Sequence, residues 1–199
     1  MARTRAQDFD EKRHGLLLVA ANVFATQGMD KASMSQIASE AGVSKSLLYH
    51  YYPSKDALIF AIIHTHMEAI DLRLSQVPRD GIAPRARLER LILVVLDAYR
   101  GADDQHKVQL NAGPALSDEQ MDRIKDVERR VVRHFTETLR EIRPDLDRPG
   151  APRTMPVALS LFGMLNWVYM WFREDGAISR EDYGRLATSL ILGGVDGLE

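Results

Sequence analysis

The residues with the clearest chemistry lie just after position 44. The pattern predicts a short helix from Lys45 to Tyr51, in which Leu47 or Leu48 returns to the core. The outward positions of that helix then carry four polar side chains, namely Lys45, Ser46, Tyr49 and His50. A basic residue at the start of such a helix can reach a guanine edge or a phosphate, and a tyrosine adds a flat face and a hydroxyl. These residue types at this spacing indicate contact with DNA.

The residues before this helix predict a second short helix and a tight turn. Ser33, with Gln36 three residues later, forms a capping-box pattern at the start of the earlier helix. Gly42 can take the positive φ that ends this helix, and Ser44 is a natural N-cap for the next one. Pro53 stops the second helix, because the residue before a proline is pushed out of the α region. Two short helices joined in this way form a helix-turn-helix, whose second helix can enter a major groove.

Several short motifs in this stretch resemble the N-terminal domain of TetR-family repressors. They are Ala38, Gly42-Val43-Ser44, Leu48-Tyr49-His50-Tyr51-Tyr52 and Ser54-Lys55, and the resemblance covers about residues 10–60. It implies an operator-binding repressor, and the expected DNA contacts are Ser33, Ser35, Ser44, Lys45, Ser46, Tyr49, His50, Tyr51 and Lys55. The alternative is a helical hairpin in which the tyrosines only pack.

Composition and charge are compatible with a DNA-binding head on a larger body. The chain has 199 residues, with 45% hydrophobic and 27% charged residues and no cysteine, so disulfides, thiolate zinc sites and cysteine nucleophiles are excluded. The net charge is −2, but the first 55 residues carry +2 and the remainder −4. We therefore expect a DNA-binding domain over residues 1–55 and a ligand-binding and dimerisation domain over residues 56–199, because a weak total charge does not prevent a basic face.

The N-terminal residues show no apolar core of a signal peptide, and we expect a cytoplasmic protein. Arg3 and Arg5 could reach a phosphate or a minor groove, or belong to an inert tail.

Apolar spacing along the rest of the chain predicts helices throughout, so we expect an all-α protein of about nine helices. The segment Met155–Phe172 has no charge and is apolar on nearly all sides. Its length would admit a membrane span. Pro156, Gly163 and Asn166 instead favour a helix that is buried on all sides within a helical bundle, and we expect no membrane partner.

A single recognition helix has a small interface, so we expect a homodimer. The last two helices are the expected contact surface, because two from each copy would form a four-helix bundle. The predicted interface residues are Tyr183, Leu186, Leu190 and Ile191. The alternative is that this apolar surface lies entirely within one chain.

The resemblance also implies a small hydrophobic effector that binds among the middle helices and releases the DNA. The stretch Leu161–Arg173, together with His106-Lys107-Val108, resembles repressors of fatty-acid, steroid or aromatic-acid catabolism that respond to acyl-CoA thioesters. The predicted pocket residues are Tyr99, Arg130, Met164, Asn166, Trp167, Met170 and Arg173. The alternative effector is a hydrophobic drug or metabolite, as in regulators of efflux.

Catalysis has little support in the sequence, and we expect no enzyme activity, cofactor or metal site. His64 and His66 are two residues apart on a predicted helix, so they point away from each other and cannot share a metal. The remaining alternative is a helical adaptor that binds only protein.

Overall fold

The computed structural model describes residues 2–198, with side chains from residue 12 onward. Ten α-helices account for most of this part of the chain, which confirms the all-α fold class. They are α1 (Ala2–Gln27), α2 (Met34–Glu40), α3 (Lys45–Tyr51), α4 (Lys55–Ser75), α5 (Pro84–Ala98), α6 (Asp103–Asn111), α7 (Asp118–Ile142), α8 (Thr154–Asn166), α9 (Val168–Trp171) and α10 (Arg180–Asp196). Short 3₁₀ turns occupy Gly113–Ala115 and Pro144–Leu146.

The structure differs from the predicted helices in two places. The segment expected as one long helix, Met155–Phe172, is divided at Trp167 into α8 and the single turn of α9. Asn166 ends α8, and its side chain is engaged with the Tyr99 hydroxyl; an amide that bonds away from its own helix is a poor residue for helix interiors. The segment that follows α7, in a chain expected to be all-α, contains a minimal antiparallel ladder, in which β1 (Asp147–Arg148) pairs with β2 (Ala151–Pro152).

The middle helices predicted from apolar spacing each bury one apolar stripe. The stripe of α4 consists of Leu58, Ile59, Ile62, Ile63, Met67, Ile70 and Leu74, all of which are buried. α5 starts with proline at its first turn, where the missing N–H has no helical partner to lose. Its inward residues Leu88, Leu91, Ile92, Val95, Leu96 and Tyr99 are also buried. The apolar residues of α4 and α5 recur at intervals of three and four positions, and this spacing is sufficient to identify the buried face of each helix.

The helices pack into two compact units. The first unit contains the residues up to Met67 together with Gly101–Lys125. In this unit α1 packs against α2 and α6, and α2 packs against α3. Phe24, Ile37 and Leu48 lie in its core. The Asn22 amide of α1 donates a hydrogen bond of 2.8 Å to the Asp104 carboxylate of α6.

The second unit contains Glu68–Arg100 together with the residues from Asp126 onward. In this unit α10 packs against α5 and α8, and α5 packs against α8. Gly184 makes the close approach of α10 to α5 possible, because an added Cβ would lie 2.5 Å from Leu93 Cδ2. The Phe135 and Phe162 rings meet edge to face with centroids 4.9 Å apart.

Both α4 and α7 contribute residues to each unit. The units are defined by packing, whereas the division predicted at residue 55 is a division by function. That division remains a proposal.

Candidate functional site

The turn between α2 and α3 has the predicted geometry at its glycine. Gly42 has a φ of +64°, and the Val43 amide donates to the Ala38 carbonyl at 2.9 Å. The Ser33 hydroxyl caps α2 by accepting from the Gln36 amide at 3.2 Å. The second half of the predicted capping box is wrong, because the Gln36 side chain donates to Glu40 at 2.9 Å instead. Gln36 and Glu40 lie one turn apart, and this helical pairing competes with the reach back to Ser33.

α3 is a short helix with one buried anchor. The Ser44 hydroxyl accepts from the Leu47 amide at 3.2 Å and so forms the predicted N-cap. Leu48 is fully buried, whereas Lys45, Ser46, Tyr49 and His50 are exposed. The Lys45 ammonium lies 5.9 Å from the centre of the Tyr49 ring, within range of a cation–π contact. The structure therefore brings four predicted DNA contacts together on one open surface.

The other predicted DNA contacts differ in exposure. Ser33 and Ser35 are exposed at the start of α2, and Ser44 is exposed at the start of α3. Tyr51 is half-buried, with its ring centroid 5.7 Å from that of His50. These positions allow the serines to reach a ligand directly, whereas Tyr51 also has a packing role.

Lys55 has protein partners that the sequence did not indicate. Its ammonium donates to the carbonyls of Met29, Asp30 and Ala32, at 2.7, 3.3 and 3.3 Å. Arg13 similarly binds within the first unit, since its Nε donates to the Tyr52 hydroxyl at 3.2 Å. Both contacts join segments that are far apart in sequence, and local spacing gave no signal for either.

The predicted pocket residues Tyr99 and Asn166 meet in the second unit. The Tyr99 hydroxyl donates to the Asn166 side-chain oxygen at 2.8 Å. Burial, with a smaller contribution from Glu128, raises the pKa of Tyr99, so its hydroxyl remains a donor at physiological pH. Half-buried Met164 precedes Asn166 by two residues in α8, and its carbonyl accepts from the Tyr183 hydroxyl at 3.1 Å. The side chains of Tyr99 and Asn166 form a small polar pair among apolar helices.

Three of the predicted pocket residues are exposed in the single chain. The exposed fractions of Trp167 and Met170 are 58% and 56%, and Arg173 is exposed and pairs with Asp175 at 3.0 Å. Their role in a pocket therefore stays a prediction. All three follow the end of α8 at Asn166.

Arg130 is occupied by two carboxylates of α4. Its Nε donates to Asp71 at 2.7 Å and its terminal nitrogen donates to Glu68 at 2.6 Å. His134 Nε2 lies 2.9 Å from the other Asp71 oxygen. Burial alone would raise the pKa of Asp71, but the hydrogen bonds from Arg130 and His134 lower it below its usual value. Arg130 thus ties α7 to α4, a role that its position in an arginine-rich run did not reveal.

The last helices present a row of exposed apolar side chains. Its members on α8 are Met155 and Leu159, and those on α10 are Leu186 and Leu190. A groove of about 290 Å³ lies beside them and is lined by Pro156, Val157, Leu190, Ile191 and Gly194 among others. The expectation of a helix buried on all sides is wrong for α8, because this face is open in the single chain.

The predicted interface residues are thus not equivalent. Leu186 and Leu190 are half or more exposed, Ile191 is half-buried, and Tyr183 is held by its hydrogen bond to Met164.

In the first unit, half-buried His66 lies near buried His106, a proximity that the sequence did not indicate. Burial, and to a smaller extent the nearby His106, lower the pKa of His66 to about 4, so His66 is neutral at physiological pH. His66 and His106 are 40 positions apart in the sequence, so helical spacing gave no signal for their proximity. Within residues 12–198, no group of three or more His, Asp or Glu side chains is arranged to hold a metal ion. Among the described helices, none is long and apolar enough to cross a bilayer.

Comparison with known proteins supports both halves of this architecture. A model of bacterial regulatory proteins of the tetR family matches residues 16–62, and a model of tetracyclin repressor-like C-terminal domains matches residues 81–195. The HTH-type transcriptional repressor KstR2 of Mycolicibacterium smegmatis is 24% identical over 192 residues, which cover 92% of this chain and 90% of that protein.

Two solved structures are similar over nearly the whole chain. A TetR-family transcriptional regulator from Bordetella parapertussis has a TM-score of 0.82 and 29% identity, covering 94% of this chain and 97% of its own. AibR, solved in complex with isovaleryl coenzyme A and operator DNA, has a TM-score of 0.76 and 26% identity, covering 90% of this chain and 97% of its own. With one family model spanning more than half of its length, the chain belongs to the TetR family of helix-turn-helix transcriptional regulators.

Proposed function

We propose that this chain is a homodimeric repressor that binds operator DNA through α3 and is released by a hydrophobic effector, with an acyl-CoA thioester as the first candidate. The observation that carries the proposal is the open surface of α3, where Lys45, Tyr49 and His50 project around the buried anchor Leu48. Such a surface needs access to chromosomal DNA, and a cytoplasmic location is part of the same proposal.

The roles of the α3 side chains follow from their chemistry. Lys45 at the first turn can donate to a guanine edge, so it should affect both affinity and base preference. Tyr49 can place its hydroxyl on a phosphate, and the exposed hydroxyls of Ser33, Ser35 and Ser44 can do the same. Phosphate contacts position a protein on the duplex without reading its sequence. We therefore assign base readout mainly to Lys45 and positioning to the tyrosine and the serines.

The open apolar face of α8 and α10 supports the dimer. Met155, Leu159, Leu186 and Leu190 all point away from their own chain, and an exposed apolar row on two packed helices marks an interaction surface. Two-fold symmetry would place the same face of a second copy against it. The groove beside Leu190 would then receive a side chain of the partner. Trp167 and Met170, which are exposed in one chain, would lie near the end of this surface.

The interior of the second unit supports a hydrophobic effector with one polar group. The hydroxyl of Tyr99 and the amide of Asn166 provide hydrogen-bonding groups between apolar helices, as in sites that fix the orientation of a ligand with few polar contacts. The related protein AibR was solved with isovaleryl coenzyme A, and the similarity of its fold makes a thioester the first effector to test.

The two arginines predicted for the pocket are both engaged by carboxylates, so the basic end of an acyl-CoA site needs another residue. Arg130 is paired with Glu68 and Asp71, and Arg173 is paired with Asp175. Arg133 on α7 is exposed and has no ion pair with any described residue, so we take it as the candidate to meet a phosphate of CoA. If no arginine serves this purpose, a hydrophobic drug or metabolite without a nucleotide becomes the better effector.

Calorimetry with a panel of ligands tests the effector. We expect straight-chain, branched or aromatic acyl-CoA thioesters to bind the DNA-free protein more tightly than the corresponding free acids and more tightly than CoA alone. Arg133→Ala should weaken the binding of the thioester and leave the binding of the free acid unchanged. Arg173→Ala, at an exposed and paired arginine, is the matched control. Equal affinity for acid and thioester would reject a basic end of the site. Failure of every thioester would leave the efflux-type effector.

A further inference from the structure

The segment between α7 and α8 holds one end of each helix that carries the open apolar face. Arg143 directly follows α7, and its two terminal nitrogens donate to the carbonyls of Val195 and Leu198 at the end of α10. The last carbonyls of a helix have no partner within the helix and carry partial negative charge, so a guanidinium is a suitable cap for them. The Arg143 Nε is fixed in turn by the Asp145 carboxylate at 3.1 Å.

Asp147 has the complementary role at the start of α8. Its Oδ1 accepts from the Thr154 amide at 3.0 Å, whereas Arg153, at the N-cap position, provides no side-chain cap. Its Oδ2 accepts from the Nε of Arg140, in the last turn of α7, at 3.0 Å. The hydrogen bonds from Thr154 and Arg140 lower the pKa of Asp147, so its carboxylate is ionised at physiological pH. An anion at a helix N-terminus is favourable, as is the cation at the C-terminus of α10.

The two helix ends held in this way are the walls of the groove beside Leu190. The start of α8 and the end of α10 both line it, with Arg153, Pro156 and Val157 from the first and Gly194, Val195 and Leu198 from the second. Arg85 of α5 also reaches this end of α10, but its pair with Asp196 joins two exposed side chains and is screened by solvent. The width of the groove is therefore set mainly by Arg143 and Asp147.

We propose that Arg143 and Asp147 are positioning residues of the dimer surface: from the end of α7 they fix the width of the groove into which a second copy packs. The inference rests on the proposed dimer through α8 and α10. Neither residue needs to touch the second copy, because each acts through the helix end that it holds.

The experiment measures the dimer dissociation constant of the full chain by sedimentation over a dilution series. The variants are Arg143→Met and Asp147→Ala, with Arg148→Met as the matched control. Arg148 lies in the same segment, but it donates to the other oxygen of Asp145, at 2.9 Å, and not to a helix end. We expect Arg143→Met and Asp147→Ala each to raise the dissociation constant roughly 10-fold, because each copy loses hydrogen bonds and two-fold symmetry doubles the loss. Arg148→Met should leave it unchanged.

A double-mutant cycle shows whether the effect passes through the groove. Leu190 lines the groove, so Leu190→Ala should raise the dissociation constant by a smaller factor in the Arg143→Met background than in the wild type. In the Arg148→Met background the effect of Leu190→Ala should be that seen in the wild type. A general loss of stability would leave the effects of Arg143→Met and Leu190→Ala independent of each other.

Hydrogen exchange locates the change within the chain. Amides of residues 192–198 should exchange faster in Arg143→Met, and those of residues 154–157 should exchange faster in Asp147→Ala. The amides of α5 should remain as protected as in the wild type in both variants.

Wild-type dimerisation by both Arg143→Met and Asp147→Ala would overturn the proposal. An equal loss in Arg148→Met, independent effects in the double-mutant cycle, or unchanged exchange at both helix ends would also overturn it. If the wild type does not dimerise, the proposed dimer fails on its own, and the exchange result still decides whether the two residues hold the helix ends.

Discussion

Replacing Leu190 by alanine should weaken the dimer by a predictable amount. Full burial of a leucine side chain is worth about 1.5–3 kcal/mol. Leu190 is 57% exposed in the single chain, so a dimer can still gain roughly half of this value, about 0.8–1.5 kcal/mol, at each copy. Symmetry doubles the effect to about 1.5–3 kcal/mol, which corresponds to a dissociation constant raised roughly 10- to 150-fold.

Sedimentation over a dilution series measures this change, and the chain offers a matched control. Leu72 on α4 is 61% exposed but lies outside α8 and α10, so Leu72→Ala should leave the dissociation constant unchanged. Leu190→Glu should go further and give folded monomers, because each copy would bring an unpaired carboxylate into the interface. If Leu190→Ala dimerises like the wild type while Leu72→Ala does not, the interface lies elsewhere and the reasoning is refuted.

Other predictions concern backbone strain and pH. Gly42→Val should lower the free energy of unfolding by about 1–2 kcal/mol in urea titrations, whereas Gly42→Asn should lower it less, because the φ of +64° and not a clash is limiting; equal losses would contradict this. The pKa of His66 is lowered to about 4 in the folded protein, so between about pH 4 and pH 6.5 the unfolded chain binds a proton that the folded chain does not. The contribution of neutral His66 to the free energy of unfolding is therefore complete above about pH 6.5. It is lost as the pH falls towards 4, and the loss is at most about 3 kcal/mol. His66→Gln should flatten this part of the stability curve measured by thermal unfolding, and an unchanged slope would show that other groups cause the loss.

The helical architecture was predictable because its signals are local. The stripes of α4 and α5 repeat every three or four residues, and Ser44 and Gly42 mark a cap and a turn by their own chemistry. The same local signals placed Lys45, Tyr49 and His50 on one side of α3, and the structure exposes all three.

Longer-range features could not be predicted in this way. Lys55 meets carbonyls more than 20 positions earlier, and Arg130 meets carboxylates about 60 positions earlier, so each has a role that no spacing rule shows. The reading of Met155–Phe172 failed for a different physical reason. Hydropathy measures the tendency to leave water, and it does not distinguish burial within one chain from burial against a second copy. Met155, Leu159 and Trp167 are apolar and exposed, which fits a surface that a partner would cover.

The most direct test of the account is the effect of an acyl-CoA on DNA binding. A fluorescently labelled duplex, which the wild-type protein has selected from a random library, is titrated with protein in the absence and presence of saturating thioester. The change in its anisotropy measures the coupling between the DNA-binding site and the effector site. Coupling of this kind is typically about 1–3 kcal/mol, so the account predicts DNA affinity lowered roughly 5- to 150-fold, and thioester affinity lowered by the same factor when the duplex is bound. Unchanged DNA affinity at saturating thioester would contradict it.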